Sequence, residues 1–295
     1  LGQDILGLGS NMNVDWGNAT ATARWNHLYS PRLFSNTSFI FSHFDYGVAL
    51  RVGQSGMGVS STVRDLNLTH EFSYYPQANS KWKFGFSSIR HRVTPGQLAN
   101  STGSTDSGIS IQDQHTWENA VFVALDQVVG PRLTVNAGLR VSALSVLGGG
   151  DFHTFDAEGA LTGSTHYGSG AFVKTYINPE PRLSFSYMLT EFTALKGAYT
   201  RTTQNMHLLS SSGGTGFSSF MDRWITTTNN IKPQIGDQVS GGWFRKLKEG
   251  GYEVSAEVYY KWMQHQIDYR NGADITMDPY VEGSLLYGDG RAYGL

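Results

Sequence analysis

Leu133-Thr134-Val135-Asn136-Ala137-Gly138-Leu139-Arg140-Val141-Ser142-Ala143 divides cleanly by parity. Leu133, Val135, Ala137, Leu139, Val141 and Ala143 are apolar, and Thr134, Asn136, Gly138, Arg140 and Ser142 between them are not. Successive side chains of an extended chain point to opposite faces, whereas a helical face needs apolar residues three and four apart. The segment is therefore a strand with one apolar and one polar face.

The same pattern recurs on either side. Tyr252, Val254, Ala256, Val258, Tyr260 and Trp262 alternate with Glu253, Ser255, Glu257, Tyr259 and Lys261. Leu183, Phe185, Tyr187 and Leu189 alternate with Ser184, Ser186 and Met188, and Trp117, Val121, Val123 and Leu125 oppose Glu118, Ala120, Ala124 and Asp126. Such runs predict about eleven strands, near residues 18–29, 33–50, 60–74, 81–94, 116–128, 133–147, 176–189, 194–204, 234–246, 252–269 and 288 onward. Five connections are short turns: Ser30 to Arg32, Tyr75 to Ser80, Val129 to Arg132, Thr190 to Thr193, and Leu247 to Gly251. Interleaved with them are longer Gly/Ser-rich stretches at 51–59, 95–115, 148–175, 205–233 and 270–287.

Composition narrows the class. Only 16% of the 295 residues are charged, against roughly 25% in an ordinary soluble domain, yet aromatic residues reach 13% and glycines number 35. Lys+Arg 22 against Asp+Glu 24 leaves a net charge of −2, so no basic field exists to hold nucleic acid. The longest apolar run, Ala120 to Leu125, is six residues, far below the ~18 that a membrane-spanning helix needs. Short turns at one rim and longer loops at the other, joining two-faced antiparallel strands, are the layout of an outer-membrane β-barrel, whose apolar face meets lipid and whose polar face lines the lumen. Tyr29, Trp117, Tyr187, Tyr199, Tyr252 and Trp262 fall near strand ends, where amphipathic rings suit the interface. Eleven strands leave an open edge, which hydrocarbon does not tolerate. The expectation is an all-β antiparallel transmembrane β-barrel, residues 1–295 being part of one barrel domain and roughly half of a 22-stranded closure. The ends, Leu1-Gly2-Gln3 and Ala292-Tyr293-Gly294-Leu295, read as cuts within a longer chain.

Several stretches carry a family likeness. Arg24-Trp25-Asn26-His27 with Leu33-Phe34-Ser35-Asn36 resembles a first-half hairpin of TonB-dependent outer-membrane receptors. Tyr176-Ile177-Asn178-Pro179-Glu180-Pro181-Arg182, Lys196-Gly197-Ala198-Tyr199-Thr200-Arg201 and Gln204-Asn205-Met206-His207 resemble their central strands. Ile231-Lys232-Pro233-Gln234, Glu257-Val258-Tyr259-Tyr260-Lys261, Ile267-Asp268-Tyr269-Arg270 and Gly288-Asp289-Gly290-Arg291-Ala292-Tyr293-Gly294-Leu295 resemble the strands that follow. The likeness is to receptors of Bacteroidota with a carboxypeptidase-regulatory-like domain upstream. It implies an active transporter importing a scarce ligand such as a ferric siderophore, vitamin or oligosaccharide. It further implies a plug domain inside the barrel, contact with the TonB complex through an N-terminal segment outside this sequence, outer-membrane lipid around the wall, and for some members a surface lipoprotein.

On this reading Arg24, Glu118, Asp126, Arg140, Arg182, Lys196, Glu253, Glu257 and Lys261 face the lumen or plug. Phe152, Phe155 and Tyr167 in one loop, and Phe217, Phe220, Asp222, Arg223 and Trp224 in another, are the candidate ligand contacts, since loop aromatics supply large stacking area at low entropic cost. Packing between loops is the plainer role for the same rings. Pro179 and Pro181, two apart, remove two donors from one side of a strand, so pairing there must break. No HExxH, GxSxG or GxGxxG pattern occurs, and neither an enzyme, a metal site nor a cofactor is expected. The alternatives are an outer-membrane barrel docking a surface lipoprotein or secretion assembly, a passive porin, and a soluble β-rich enzyme or lectin.

Overall fold

The computed structural model describes residues 10–52, 55–100, 111–209, 223–247, 251–271, 273, 278 and 280–295. Eleven strands form one sheet in which every neighbouring pair is antiparallel. They are β1 (Ser10–Ser30), β2 (Leu33–Val52), β3 (Ser55–Gln77), β4 (Ser80–Asn100), β5 (Gln114–Val129), β6 (Leu133–Leu147), β9 (Phe172–Thr190), β10 (Thr193–Gln204), β13 (Gln234–Leu247), β14 (Tyr252–Tyr269) and β15 (Leu285–Gly294). Four short strands sit in the loops: β7 (Gly150–Phe155) pairs with β8 (Leu161–Tyr167), and β11 (Met206–Leu209) with β12 (Arg223–Thr226). Among the described residues no helix is long and apolar enough to cross a membrane. The eleven expected strands are the eleven of the main sheet. The expected loop at 51–59 is strand instead, since β2 and β3 pair as far as Val52 opposite Ser55.

Register carries the parity of single strands across the sheet, because directly opposed residues share a face. Trp82, Leu125, Ala137, Leu183, Tyr199 and Val239 lie in one row, and Phe84, Val123, Leu139 and Pro181 in the next. Here the apolar residues are the exposed ones: Val121 is 62% exposed, Val258 53% and Leu183 50%. Burying apolar surface at about 25 cal/mol per Å² normally drives folding in water, so a face left open along its length is built for lipid. Aromatic residues mark its margins, with Tyr74, Trp82, Tyr187 and Trp243 toward the turns and Trp117 and Trp262 toward the loops. Strands of 20 to 23 residues in β1 to β4 exceed the ~9–11 needed to span a bilayer, and so project beyond it.

The opposite face is polar along most of its length, with Val93, Leu144 and Val146 buried toward the loop ends of β4 and β6. The buried apolar cluster lies among the loops: Leu209, Ile225, Ile231, Val281 and Leu285, with Ile267 and Tyr269 against it. Pro179 and Pro181 explain how one loop reaches that position. The ladder from β9 to β6 runs through both prolines unbroken, while the ladder to β10 stops at Arg182 opposite Thr200. Prolines cannot donate to a neighbour, so β10 parts from β9 there, stays paired with β13 as far as Gln204 opposite Gln234, and brings Thr203 and Asn205 to Glu180 and Glu118 on the polar face.

Candidate functional site

Two regions make up the site: a charge network on the polar face and a cap of loops above it. In the network, Arg140 Nη2 donates to Glu118 Oε1 at 2.7 Å, and its Nε lies 3.6 Å from Glu180 Oε1. Ser142 Oγ donates to Glu180 Oε1 at 3.0 Å and Thr203 Oγ1 to the same oxygen at 3.1 Å, while Asn205 Nδ2 donates to Glu118 Oε2 at 2.8 Å. Arg182 Nη2 stands 3.9 Å from Glu180 Oε2. Glu180 is only 6% exposed. A carboxylate so buried requires several donors, and it has them from β6, β9 and the departing end of β10.

Glu118, Arg140 and Arg182 are thus brought together, with Glu180 at their centre. Glu180 lies two residues before Arg182 on the same parity, and extending the alternation back through the prolines would have found it. Lys196 Nζ sits 4.1 Å above the Phe244 ring, a cation–π contact. Arg24, Asp126, Glu253, Glu257 and Lys261 share the polar face by register but make no ion pair among the described residues.

The cap joins four loops. Thr226 N–H donates to Gln114 Oε1 at 2.7 Å and Asp151 N–H to Gln112 Oε1 at 2.9 Å. Asn229 Nδ2 donates to the His153 carbonyl at 2.8 Å, Asn230 Nδ2 to the same carbonyl and to Glu282, and Arg270 Nη2 to the Ala157 carbonyl at 2.6 Å. Gly159 has φ +87°, and a Cβ there would collide with the Gly283 carbonyl, so this crossing of two loops needs glycine. Between the loops lies a cavity of about 90 Å³ lined by Gln112, Gln114, Phe152, His153, Phe155, Asn229, Tyr280 and Glu282, among others. His153 and Tyr280 rings meet edge to face at 5.0 Å, and the buried His153 Nδ1 has no partner. Below the cavity, the β11–β12 hairpin presents His207, 2% exposed with neither ring nitrogen bonded; burial pushes its pKa down to about 4.

Of the loop residues expected to contact ligand, Phe152 and Phe155 line this cavity. Tyr167 packs edge-on against Phe152 across the β7–β8 hairpin at 5.5 Å. Trp224 stands opposite Leu208 in β12, and Arg223 opposite Leu209. Phe217, Phe220 and Asp222 lie outside the described residues. The polar cavity residues Gln112, Gln114, His153, Asn229 and Glu282 went unnoticed, because nothing in separate loops announces that they meet.

The sequence profile of the TonB dependent receptor-like, beta-barrel family matches residues 3–295. Among curated proteins none matches. Solved structures do. The copper transporter OprC superposes with a TM-score of 0.65 at 14% identity, over 97% of this chain and 44% of its own. The ferric-catecholate import receptor Fiu of E. coli K12 gives 0.56 at 14% identity, over 95% of this chain and 44% of its own. FpvA of P. aeruginosa, solved with pyoverdines, gives 0.57 at 12% identity, over 94% and 36%. The chain therefore spans less than half the length of these structures, and at such identities they speak for the fold alone. With the wall, its two-faced strands and the profile match in agreement, the chain belongs to the family of TonB-dependent receptor-like β-barrels.

Proposed function

We propose that this chain forms part of the wall and ligand-facing mouth of a TonB-dependent transporter of the bacterial outer membrane. Its apolar face meets lipid, its polar face contacts a plug domain, and its loops capture a scarce ligand: a ferric siderophore, a vitamin or an oligosaccharide. Similar folds that import ferric catecholates, bind pyoverdine or transport copper support a metal complex among these. The single observation that carries the reading is the segment from the end of β10 toward β11, tied on the polar face through Thr203 to Glu180 and through Asn205 to Glu118. Such a tie holds the loops of the mouth over the polar face, where a receptor captures solute.

Phe152, Phe155, Tyr167 and Trp224 are the ligand-stacking candidates on this proposal, together with Phe217, Phe220, Asp222 and Arg223. Arg24, Glu118, Arg140, Arg182, Lys196, Glu253, Glu257 and Lys261 face the plug. An upstream carboxypeptidase-regulatory-like domain and a surface lipoprotein belong to the same proposal. Deleting the TonB-binding segment from the full-length gene is expected to abolish energy-dependent uptake while leaving the barrel in the outer membrane. Unchanged uptake after that deletion would overturn the reading.

A further inference from the structure

The apolar face of β2 to β5 ends in a basic row. Register fixes it: His43 stands opposite Arg64, Arg64 opposite Arg92, and Arg92 opposite His115. One step nearer the turns, Phe41, Leu66, Arg90 and Trp117 are in register on the same face. Below them the rows carry no Asp, Glu, Lys or Arg, down to Leu33, Tyr74, Trp82 and Leu125. From Trp82 to Arg90 and Arg92 the strand climbs about 26 and 33 Å at ~3.3 Å per residue. At the ~40° tilt of barrel strands that is about 20 and 25 Å of height, the reach of a ~25 Å apolar band. The arginines therefore stand where acyl chains give way to headgroups.

The row is short of negative charge. Like charges directly opposed across an antiparallel pair repel, and Arg64 faces Arg92 in this way. Arg92 is answered by Asp113, with Nε and Nη2 donating to Oδ2 at 2.9 and 2.7 Å. Arg64 donates its Nε to His43 Nδ1 at 3.0 Å, and His43 Nε2 lies 3.4 Å from Asp45. Arg64 and Arg90 are exposed and have no carboxylate at ion-pair distance among the described residues. The same two rows continue onto β6 and β9 as Ser145 with Thr175 and Leu147 with Phe172, without charge. The basic patch is local.

We propose that Arg64, Arg90 and Arg92 hold the phosphate group of a lipid in the outer leaflet, with Trp117 at the level of its first acyl carbons. A guanidinium fork matches a phosphate with two parallel hydrogen bonds, and an anion held among Arg64, Arg90 and Arg92 offsets the repulsion between the opposed Arg64 and Arg92. The proposal rests on the reading that this face meets outer-membrane lipid, but not on transport. The shared chemistry is phosphate; the position beside the apolar rows commits the source to lipid.

The test uses the full-length receptor purified in detergent, with fluorescent diphosphoryl lipid A as probe. Binding is expected to weaken at least tenfold in R64Q/R90Q/R92Q, to fall similarly when the probe is dephosphorylated, and to be unchanged in R245Q at the turn-side rim. Heat-modifiable migration on gels reports whether the barrel is folded. R90Q alone, which removes an exposed, unpaired side chain, is expected to lose about threefold and keeps the test open if the triple variant misfolds. Equal binding by the variants and the unaltered protein would overturn the proposal. So would displacement of the probe by millimolar inorganic phosphate, which would assign the row to the free ion. Uptake is measured alongside, so that lost transport with intact lipid binding counts only against the transporter reading.

Discussion

At the scale of single residues, His207 in the β11–β12 hairpin couples the cap to acidity. Its ring is buried without partners and its pKa is lowered by burial to about 4, whereas an unfolded histidine titrates near 6.5. Between those values the open hairpin binds a proton that the closed one excludes. Stability therefore falls as pH drops from about 6.5 to about 4 and is insensitive to this group outside that window. Opening of residues 206–209 and 223–226 is expected to be about 20-fold more favourable at pH 5 than at neutral pH. Hydrogen exchange corrected for intrinsic rates measures this, and His207→Phe, which fills the space without titrating, is expected to flatten the profile. A profile unaltered by that substitution would point to another group. Glu180 is the other residue whose setting governs the site, since one buried carboxylate accepts from Ser142 and Thr203 and sits beside Arg140 and Arg182.

At the scale of elements, the two prolines of β9 decide where β10 parts from β9. Pro179→Ala with Pro181→Ala returns two donors, and the β9–β10 ladder is expected to lengthen beyond Arg182 and Thr200. Exchange at residues 201–203 should then slow by about an order of magnitude, the effect of roughly one net backbone hydrogen bond. It should quicken at 205–209 as Asn205 is drawn off Glu118. Exchange mapped by peptide mass spectrometry distinguishes this from a ladder that ends for some other reason. The long strands were readable because each has a face toward lipid and a face toward the lumen, and parity records both. The loop strands were not. β11 and β12 have four residues each, too few for alternation to accumulate, and their burial comes from other loops rather than from a periodic face. The segment at 51–59 has the same origin in reverse: its Gly53, Ser55, Gly56 and Gly58 carry turn chemistry, yet a hairpin partner overrides it.

At the scale of the whole molecule, the exposed apolar face makes folding depend on the surrounding medium. Val121, near the middle of the apolar band, is expected to tolerate arginine poorly: Val121→Arg should destabilise the barrel by about 2–4 kcal/mol in vesicles. Thr134→Arg, on the polar face, should change stability by no more than about 0.5 kcal/mol. Reversible urea unfolding of the full-length protein in lipid vesicles compares the two, and equal effects would mean that the face does not meet lipid. The charge network was half legible, because parity found Glu118, Arg140 and Arg182 but the prolines interrupted the count at Glu180. The cavity was not legible at all, being assembled from residues 112 to 282 with no common period.

The apolar cluster of Leu209, Ile225, Ile231, Val281 and Leu285 draws on the loops and on the first residue of β15, and β12 rests against β3, β4 and β5. Cap and wall meet different demands, the cap packing among its loops and against β3 to β5, the wall resting on backbone ladders and lipid. Substitutions in the cap are therefore constrained where it rests on β3 to β5 and freer elsewhere, while every stave stays bound to its neighbours.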